Sequence, residues 1–509
     1  MRQALDSNRA VRAVARAAAL CVALASPLSW GADASQAAQE TLSLPQFAQL
    51  LLANNRRAVA ARAQAAVAQT HVDKAQAQYQ PKLRLDLNVG EENELNSPED
   101  AATRGEEGGN YRRRYDDLSA EVSTLLPTGG TVTGRSSLSR FWSSSFELLG
   151  DPDTALNRRY RAVYDVNFTQ PLLKDRGSQV TDTPVRLAEF DRQMAEWASR
   201  DTAVLALGEG VNVYYDLVMA HHRREAAQAK VQMASELAQA AQSLLDSGRL
   251  DASAMADVEI SRVQFEASLL QARETQHDLS NQAVKVLQAQ RVGPDGLVPV
   301  DLTLPESPTA LAPLEALVDA AWSQRADLKA SVLAVDRQAL EYQFHENQLK
   351  PRLDAKLNYG YSGLALKAKS AFGSAHRADG PTWSVGVVFE TTLGSDRAMQ
   401  ANLAAAKIRQ QQAADEREAL RLDIRQDVSS AAAMVHGAAA RWELWRSALK
   451  REQDNLALER QRFESGRSDV RALLLAQERV INVELQVTEQ RVAYARALAL
   501  LSVTQGQQL

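Results

Sequence analysis

Two short stretches of the chain decide its fold: residues 80–88, QPKLRLDLN, and residues 350–358, KPRLDAKLN. Each stretch follows an alanine-rich run with helical periodicity, at 45–79 in the first case and at 313–349 in the second. After the proline, apolar and polar residues alternate, which is the pattern of a β-strand with one apolar and one polar face. The same helix-to-strand transition therefore occurs twice, and this indicates an internal repeat.

A second pair of related stretches lies farther along, at residues 245–249, LDSGR, and at residues 463–467, FESGR. Long runs beside both stretches have apolar residues at alternating spacings of three and four, which is the heptad pattern of coiled-coil helices. We therefore predict two structural repeats, at 35–290 and 313–509, joined by a proline-rich linker at 291–312 that is expected to be exposed.

Each repeat is predicted to contain a helix, a β-hairpin region, a long helix and a returning helix. The hairpin region spans 83–170 in the first repeat and 353–393 in the second, and the tips lie near Gly248 and Gly466. The first repeat is longer between the proline that precedes its hairpin region and its tip, with 167 residues from Pro81 to Gly248 (248 − 81) against 115 from Pro351 to Gly466 (466 − 351). Its extra residues include a turn at 126–131 between two possible strands, so the sequence allows either two or four strands there.

The alternating strands have the length and the pattern of membrane-crossing barrel strands, which need about ten residues each. An ordinary antiparallel sheet over a soluble core has the same alternation. Aromatic residues at the strand ends, such as Tyr160, Trp383 and Phe389, favour the barrel. Residues 92–116 are polar and charged, and we expect them to form a loop exposed on the outside of the cell.

The N-terminus has the pattern of a secretory signal peptide. Basic residues precede an almost wholly apolar run at 17–28, and Ala32-Asp33-Ala34 places small residues at a cleavage site. We expect residues 1–34 to be removed, together with Cys21, the only cysteine. A short membrane anchor is the alternative, but the run is shorter than the roughly 20 residues of a spanning helix. No other comparable apolar run exists, which argues against a helical membrane protein.

Composition narrows the possible functions. The net charge is −5 and becomes about −7 without the predicted signal peptide, which argues against a nucleic-acid partner. None of the seven histidines has a metal-binding spacing, and no phosphate-binding glycine pattern is present. The sequence therefore predicts no enzyme, no cofactor and no metal site.

Together these features resemble the TolC-like outer-membrane efflux family over essentially the whole mature chain. Residues 168–173, FTQPLL, are similar to the strand end that precedes the family's long helix. Residues 462–466, RFESG, followed by Ala476-Gln477, are similar to the second tip of that family. The second half departs from the pattern, because Thr391-Thr392-Leu393-Gly394 stands where a Gln-Pro-Leu end is expected.

The resemblance implies a homotrimer whose fold is mostly α with membrane β. Long antiparallel coiled-coil helices would form a trimeric α-barrel in the periplasm, and the β-hairpins would contribute to a shared β-barrel in the outer membrane. A few strands cannot close a barrel alone, and open edges in lipid leave backbone groups unpaired. Association of three chains would close the sheet.

The function implied is that of a passive outer-membrane export channel that spans the periplasm. Such a channel docks with a periplasmic adaptor protein and an inner-membrane pump, which is proton-driven or ATP-driven, and expels small molecules. A channel for type I protein secretion is the alternative within this class. A periplasmic coiled-coil scaffold without a pore is the alternative of a different class, and the apolar strands argue against it.

The resemblance also gives roles to the tips, where a left-handed glycine is expected to end each helix. Plain helix-capping turns are the alternative. We expect the adaptor to dock at Ser247, Gly248, Arg249, Ser465, Gly466 and Arg467.

The periplasmic entrance is expected to be held closed by ion pairs among charged tip residues, with the run Leu473–Leu475 as a hydrophobic constriction. The family often has aspartates on the second returning helix, where Ala472 and Leu475 stand here. Solvated surface charges and core leucines are the alternative. We assign this gate to Asp257, Asp469, Arg471 and Leu475.

Overall fold

The computed structural model describes the chain in segments: residues 41–95, 97, 99, 110–143, 159–247, 252–288, 297–298, 300–377 and 381–507. The predicted signal peptide lies outside these residues, as do Gly248 and Arg249 of the first predicted tip.

Helices make up most of the described residues, and two of them are very long. With 64 and 68 residues, α4 and α9 are each about 100 Å long at ~1.5 Å per residue. The helices are α1 (Leu44–Asn54), α2 (Arg56–Gln76), α3 (Ser178–Thr181), α4 (Thr183–Asp246), α5 (Ala252–Leu287), α6 (Leu314–Gln324), α7 (Ala326–Gln348), α8 (Ala368–His376), α9 (Arg397–Glu464) and α10 (Val470–Thr504).

The strands form one antiparallel sheet whose spatial order follows the chain. Four strands precede the long helix α4, which settles the question of two or four in the first half. Both β1 and β5 begin directly after the prolines that the sequence singles out. The strands are β1 (Lys82–Leu95), β2 (Asn110–Leu125), β3 (Thr131–Ser143), β4 (Arg159–Pro171), β5 (Arg352–Ala365) and β6 (Pro381–Glu390).

The first hairpin extends farther than the sequence predicts. The expectation of an exposed loop over 92–116 is wrong at both ends, because β1 and β2 pair there in continuous register. Arg114 Nε lies 2.9 Å from Glu91 Oε2, and Arg113 Nη1 lies 3.6 Å from Glu92 Oε2. Opposite charges on facing strand positions stabilise a sheet. These charged residues, whose pattern in the sequence is typical of a loop, therefore form ion pairs between the two strands.

One face of the sheet carries an apolar band from one edge strand to the other, with the Asp116–Arg140 ion pair on the same face toward its far end, and the opposite face is mostly polar. Register puts Arg84, Glu121, Arg135 and Asp165 in one row of the polar face. On the edge strands, the apolar side chains of β1 (83–89) and β6 (383–389) are 61–72% exposed. One row of the apolar face contains Leu83, Val122, Gly134, Val166, Tyr359 and Trp383.

Helix α8 covers the end of this apolar face that is far from the long helices. Ala371 and Ala375 of α8 form a buried cluster with Ala162 of β4. Gly363 of β5 lies beneath the helix, and a Cβ atom there would lie 2.2 Å from the carbonyl oxygen of Ala371. Only glycine permits so close an approach between a helix and a strand.

The described part of the linker between the two halves lies along α10, and half of residues 301–312 are exposed. The Thr309 amide donates to Tyr494 Oη at 2.7 Å, and that hydroxyl donates to Thr309 O at 3.3 Å. Arg491 donates to the carbonyl oxygens of Leu304 and Pro305 at 3.2 and 3.1 Å. Buried Tyr494 belongs to the α9–α10 core, so the described part of the linker is anchored to that core.

We predict that Gly363→Ala detaches α8 from the sheet, because its Cβ would overlap backbone atoms of the helix. Tryptic cleavage at Lys369 in the purified protein should accelerate several-fold. Gly373→Ala within α8 is the matched control, since a Cβ there meets nothing within 4 Å. Equal cleavage rates in the two variants would show that the close packing does not hold the helix.

Candidate functional site

The tip between α9 and α10 ends in the glycine turn that the sequence predicts. Gly466 has a φ of +71°. Its amide donates to Phe463 O at 2.9 Å, and the Arg467 amide donates to Arg462 O at 2.8 Å. These two bonds form a Schellman motif, which satisfies the last carbonyl groups of a helix. Ser465, Gly466 and Arg467 therefore form an ordered turn.

The returning helix α10 is started by Asp469. The Asp469 Oδ1 atom accepts a hydrogen bond from the Ala472 amide at 2.7 Å, which is the arrangement of an N-cap. Ser468 donates to the side chain of Glu459, and Arg462 Nη1 lies 3.4 Å from Glu459 Oε2. Asp469 thus has a local structural task in addition to its predicted place at the gate.

The first tip is described only in part. Ser247 follows α4, and its amide donates to Ser243 O at 3.3 Å. The predicted partners Gly248 and Arg249 lie outside the described residues. Asp257 lies in the first turns of α5, on the returning side of this tip.

An ion pair joins the returning helices of the two tips. Arg471 Nη1 of α10 lies 3.4 Å from Asp257 Oδ2 of α5. The two side chains are 67% and 48% exposed, so water screens their attraction. Of the four residues assigned to the gate, these two are in direct contact.

The leucine run at the start of α10 divides between core and surface. Leu473 and Leu474 are buried in a cluster with residues of α4 and α5, whereas Leu475 is 44% exposed. Phe463, near the end of α9, packs against the same cluster. Within one protomer, Leu475 is therefore the member of the run that is available to face an entrance.

A ladder of ion pairs between α4 and α10 was missed by sequence reasoning. Arg223 Nη2 lies 2.7 Å from Glu489 Oε1, and Lys230 Nζ lies 3.4 Å from Glu478 Oε1. A third pair joins Asp216 to Arg496. The α4 members of these pairs, Asp216, Arg223 and Lys230, recur every seven residues. Charges at this spacing commonly flank the apolar seam of a coiled coil, so the spacing could have predicted the ion pairs.

The junction between the helices and the sheet is fixed by Tyr79, another residue that the sequence analysis did not single out. Its hydroxyl donates to the side chain of Asp182, and its carbonyl oxygen accepts from Thr124 Oγ1 at 3.1 Å. Burial, followed by the bond to the Asp182 carboxylate, raises the pKa of Tyr79 to about 12. The phenol therefore stays protonated and holds this junction through neutral and moderately alkaline pH.

Among the described residues, no group of three or more His, Cys, Asp or Glu is placed to hold a metal ion. One described helix, α4, is long and apolar enough by length and composition to cross a membrane. Because 56% of its most apolar stretch is buried inside the fold, the structure supports a role as a core helix of the bundle.

We predict that Gly466→Ala destabilises the tip by about 1 kcal/mol, because an alanine resists the left-handed conformation. Chemical unfolding followed by helical circular dichroism measures the loss. Gly437→Ala, inside the preceding helix α9, is the matched control and should be neutral or stabilising, since helical alanine is preferred to glycine. A neutral result at Gly466 would mean that the turn adopts another conformation.

Comparisons with known proteins agree with this geometry. Residues 317–507 match the family described as outer membrane efflux protein. No curated protein sequence matches the chain.

Solved structures match almost the whole chain. The MtrE outer membrane channel of Neisseria gonorrhoeae, in its open state, has a TM-score of 0.62 at 14% identity, over 92% of this chain and 89% of that one. The CmeC outer membrane channel of Campylobacter jejuni has a TM-score of 0.60 at 12% identity, over 92% and 86%. The outer membrane protein VceC of Vibrio cholerae has a TM-score of 0.59 at 16% identity, over 92% and 97%.

At these identities the structural likeness establishes the fold, and the family match adds the relationship in sequence. The resemblance to the TolC-like family, which rests on sequence motifs, is therefore confirmed by the fold and by the family match. Residues 317–507 are thus similar in sequence to the outer membrane efflux protein family, and over nearly its whole length the chain has the fold of solved outer-membrane channels.

Proposed function

We propose that this chain is one protomer of a passive homotrimeric export channel in the outer membrane, with a long periplasmic domain. The observation that carries the proposal is the sheet, whose apolar face is uncovered on both edge strands. An apolar surface of this extent is unfavourable in water and favourable in lipid. The polar face, with its rows of charged residues, then faces a water-filled lumen, as in membrane barrels.

The two long helices support the periplasmic part of the proposal. Helices α4 and α9 are each about 100 Å long and extend away from the sheet. Their returning partners, α5 and α10, pack against them through the tip cluster around Val258 and Leu473. A membrane sheet at one end and the Ser465–Arg467 turn at the other suit a duct between two compartments.

We place the adaptor at the tips, on Ser465, Gly466 and Arg467 and on Ser247 with its predicted partners Gly248 and Arg249. The Ser465–Arg467 turn exposes small and charged side chains at the end of α9 that is farthest from the sheet. No nucleotide-binding motif is present in the sequence, so an inner-membrane pump would supply the energy. The cargo we favour is small molecules, and type I protein secretion is the alternative with the same duct.

The entrance gate is proposed to consist of the Asp257–Arg471 pair, with Asp469 shaping the turn and Leu475 facing the opening. The 3.4 Å contact joins the returning helices of both tips, so it resists their separation. Because both side chains are largely exposed, the pair contributes about 0.2–1 kcal/mol. A contact of this strength favours the closed entrance but still allows it to open.

Single-channel recording tests the pore itself. Detergent-purified protein added to a planar bilayer is expected to give discrete and long-lived current steps. A stable trimer that never conducts and leaves the bilayer intact would instead favour the scaffold without a pore. Protease protection of the segment between β1 and β2 in whole cells would then report whether the sheet reaches the outer surface.

Substitutions on neighbouring residues of β6 test which face meets lipid. We predict that Val385→Arg reduces the yield of membrane-inserted trimer strongly, since arginine on the lipid face costs about 2–4 kcal/mol near the midplane. Ser384→Arg, on the opposite face, is the matched control and should insert normally. Equal yields from the two variants would contradict the assignment of the faces.

Removal of the gate pair should raise the open probability. We predict that Asp257→Asn or Arg471→Gln increases the ratio of open to closed time by about two- to fivefold, the equivalent of roughly 0.4–1 kcal/mol. The charge-swapped double variant, Asp257→Arg with Arg471→Asp, should restore the closed time. Single variants with unchanged gating would remove this pair from the mechanism.

A further inference from the structure

The apolar band of the sheet is inclined to the strands, and its slope can be read from the register. Leu83 and Trp383 lie in the same row. Leu83 is the end of the β1 apolar run (83–89) nearest the helices, whereas Trp383 is the far end of the β6 run (383–389). Between β1 and β6 there are five steps from one strand to its neighbour. Over these steps the apolar band shifts along the strands, toward the helices, by six residues (389 − 383).

This displacement corresponds to a strand tilt. Six residues at about 3.3 Å, over five inter-strand steps of about 4.8 Å, give an angle of about 40°. Strands of outer-membrane barrels are tilted by about 35–45°. The apolar band thus lies level in a membrane when the six strands take the tilt of a closed barrel. The position of helix α8 agrees with this arrangement, because α8 packs on β4 and β5 at the end of the band that is far from the long helices.

The two edge strands are matched in direction and in chemistry. In the described chain, β1 pairs with β2 and β6 pairs with β5, so each has one open edge. Because six is an even number, β6 of one copy and β1 of the next run antiparallel. Both present four large apolar side chains to the same face. Unpaired strand edges are not tolerated in lipid, so a partner strand is required.

We propose that all six strands enter the membrane and that three copies close edge to edge into an 18-stranded barrel, with β6 of one protomer beside β1 of the next. This inference rests on the trimeric channel proposed above and adds the strand number and the register. Continuing the same slope by one step sets Val385 opposite Leu87 or Val89 of the neighbouring copy. The occupant of each open edge is a second copy of this chain.

The strand number determines the width of the duct in the membrane. With a tilt of about 40°, 18 strands enclose a backbone diameter of about 36 Å, against about 24 Å for 12 strands. Barrels of 16–18 strands leave an aqueous channel after side chains fill part of the interior. The polar row with Arg84, Glu121, Arg135 and Asp165 would line this channel.

Disulfide cross-linking tests the interface, because the chain has a single cysteine, Cys21, which is replaced by serine in the test background. Val385→Cys is combined in turn with Leu83→Cys, Leu85→Cys, Leu87→Cys or Val89→Cys. Oxidation of the membrane-inserted protein with copper phenanthroline should give covalent trimers. The yield should be greatest with Leu87 or Val89 and several-fold lower with Leu83.

Two control pairs accompany the series. Leu87→Cys with Leu118→Cys, directly opposite within one chain, should oxidise without forming oligomers. Val166→Cys with Val385→Cys, on strands β4 and β6 that are not neighbours, should not cross-link.

The outcomes separate this inference from the channel proposal. Covalent trimers from the β1–β6 pairs, in protein that conducts, support both. Conducting trimers that stay covalently monomeric across the whole series overturn the 18-stranded closure and leave the channel intact. Protein that is monomeric by native mass and forms no pore overturns both. Cross-links that peak at Leu83 overturn the register and the tilt derived from it.

Discussion

A strand in hydrocarbon must find a hydrogen-bonding partner for every backbone group, and the organisation of this protein depends on that constraint. The six-stranded sheet satisfies it internally and leaves it unmet at β1 and β6. Nothing else in the described chain covers those edges, so in the proposed channel the sheet is complete only in an assembly. The alternation of apolar and polar faces suits the same channel, in which one face meets lipid and the other encloses water.

The helical part obeys a different rule, in which small side chains and paired charges allow long helices to lie close together. Alanines such as Ala234 and Ala241 of α4 are fully buried. The ion pairs from α4 to α10 flank the seam at heptad spacing. Arg325, between α6 and α7, adds a tie to α9 through Asp427 at 3.2 Å. The bundle is therefore aligned along its length by contacts that are individually weak.

Sequence patterns predicted the parts of this fold that depend on local chemistry. The prolines that precede β1 and β5, and the left-handed Gly466, have the roles that their neighbours in sequence indicate. The strand count and the extent of the first hairpin escaped prediction, because charged residues such as Glu91 can belong to a loop or to a cross-strand pair. The contact of Asp257 with Arg471 spans 214 residues, and only the packing of α5 beside α10 creates it.

The register between β4 and β5 also sets an order in time. These neighbouring strands are separated in sequence by the whole of α4 and α5, the linker, and α6 and α7. The hairpins from β1 to β4 and the pairing of α4 with α5 need only local chain closure, which is fast, whereas β5 must wait until the second half has been synthesised. During that interval β4 has an open edge. We therefore expect the nascent chain to need protection from aggregation at β4 until β5 arrives.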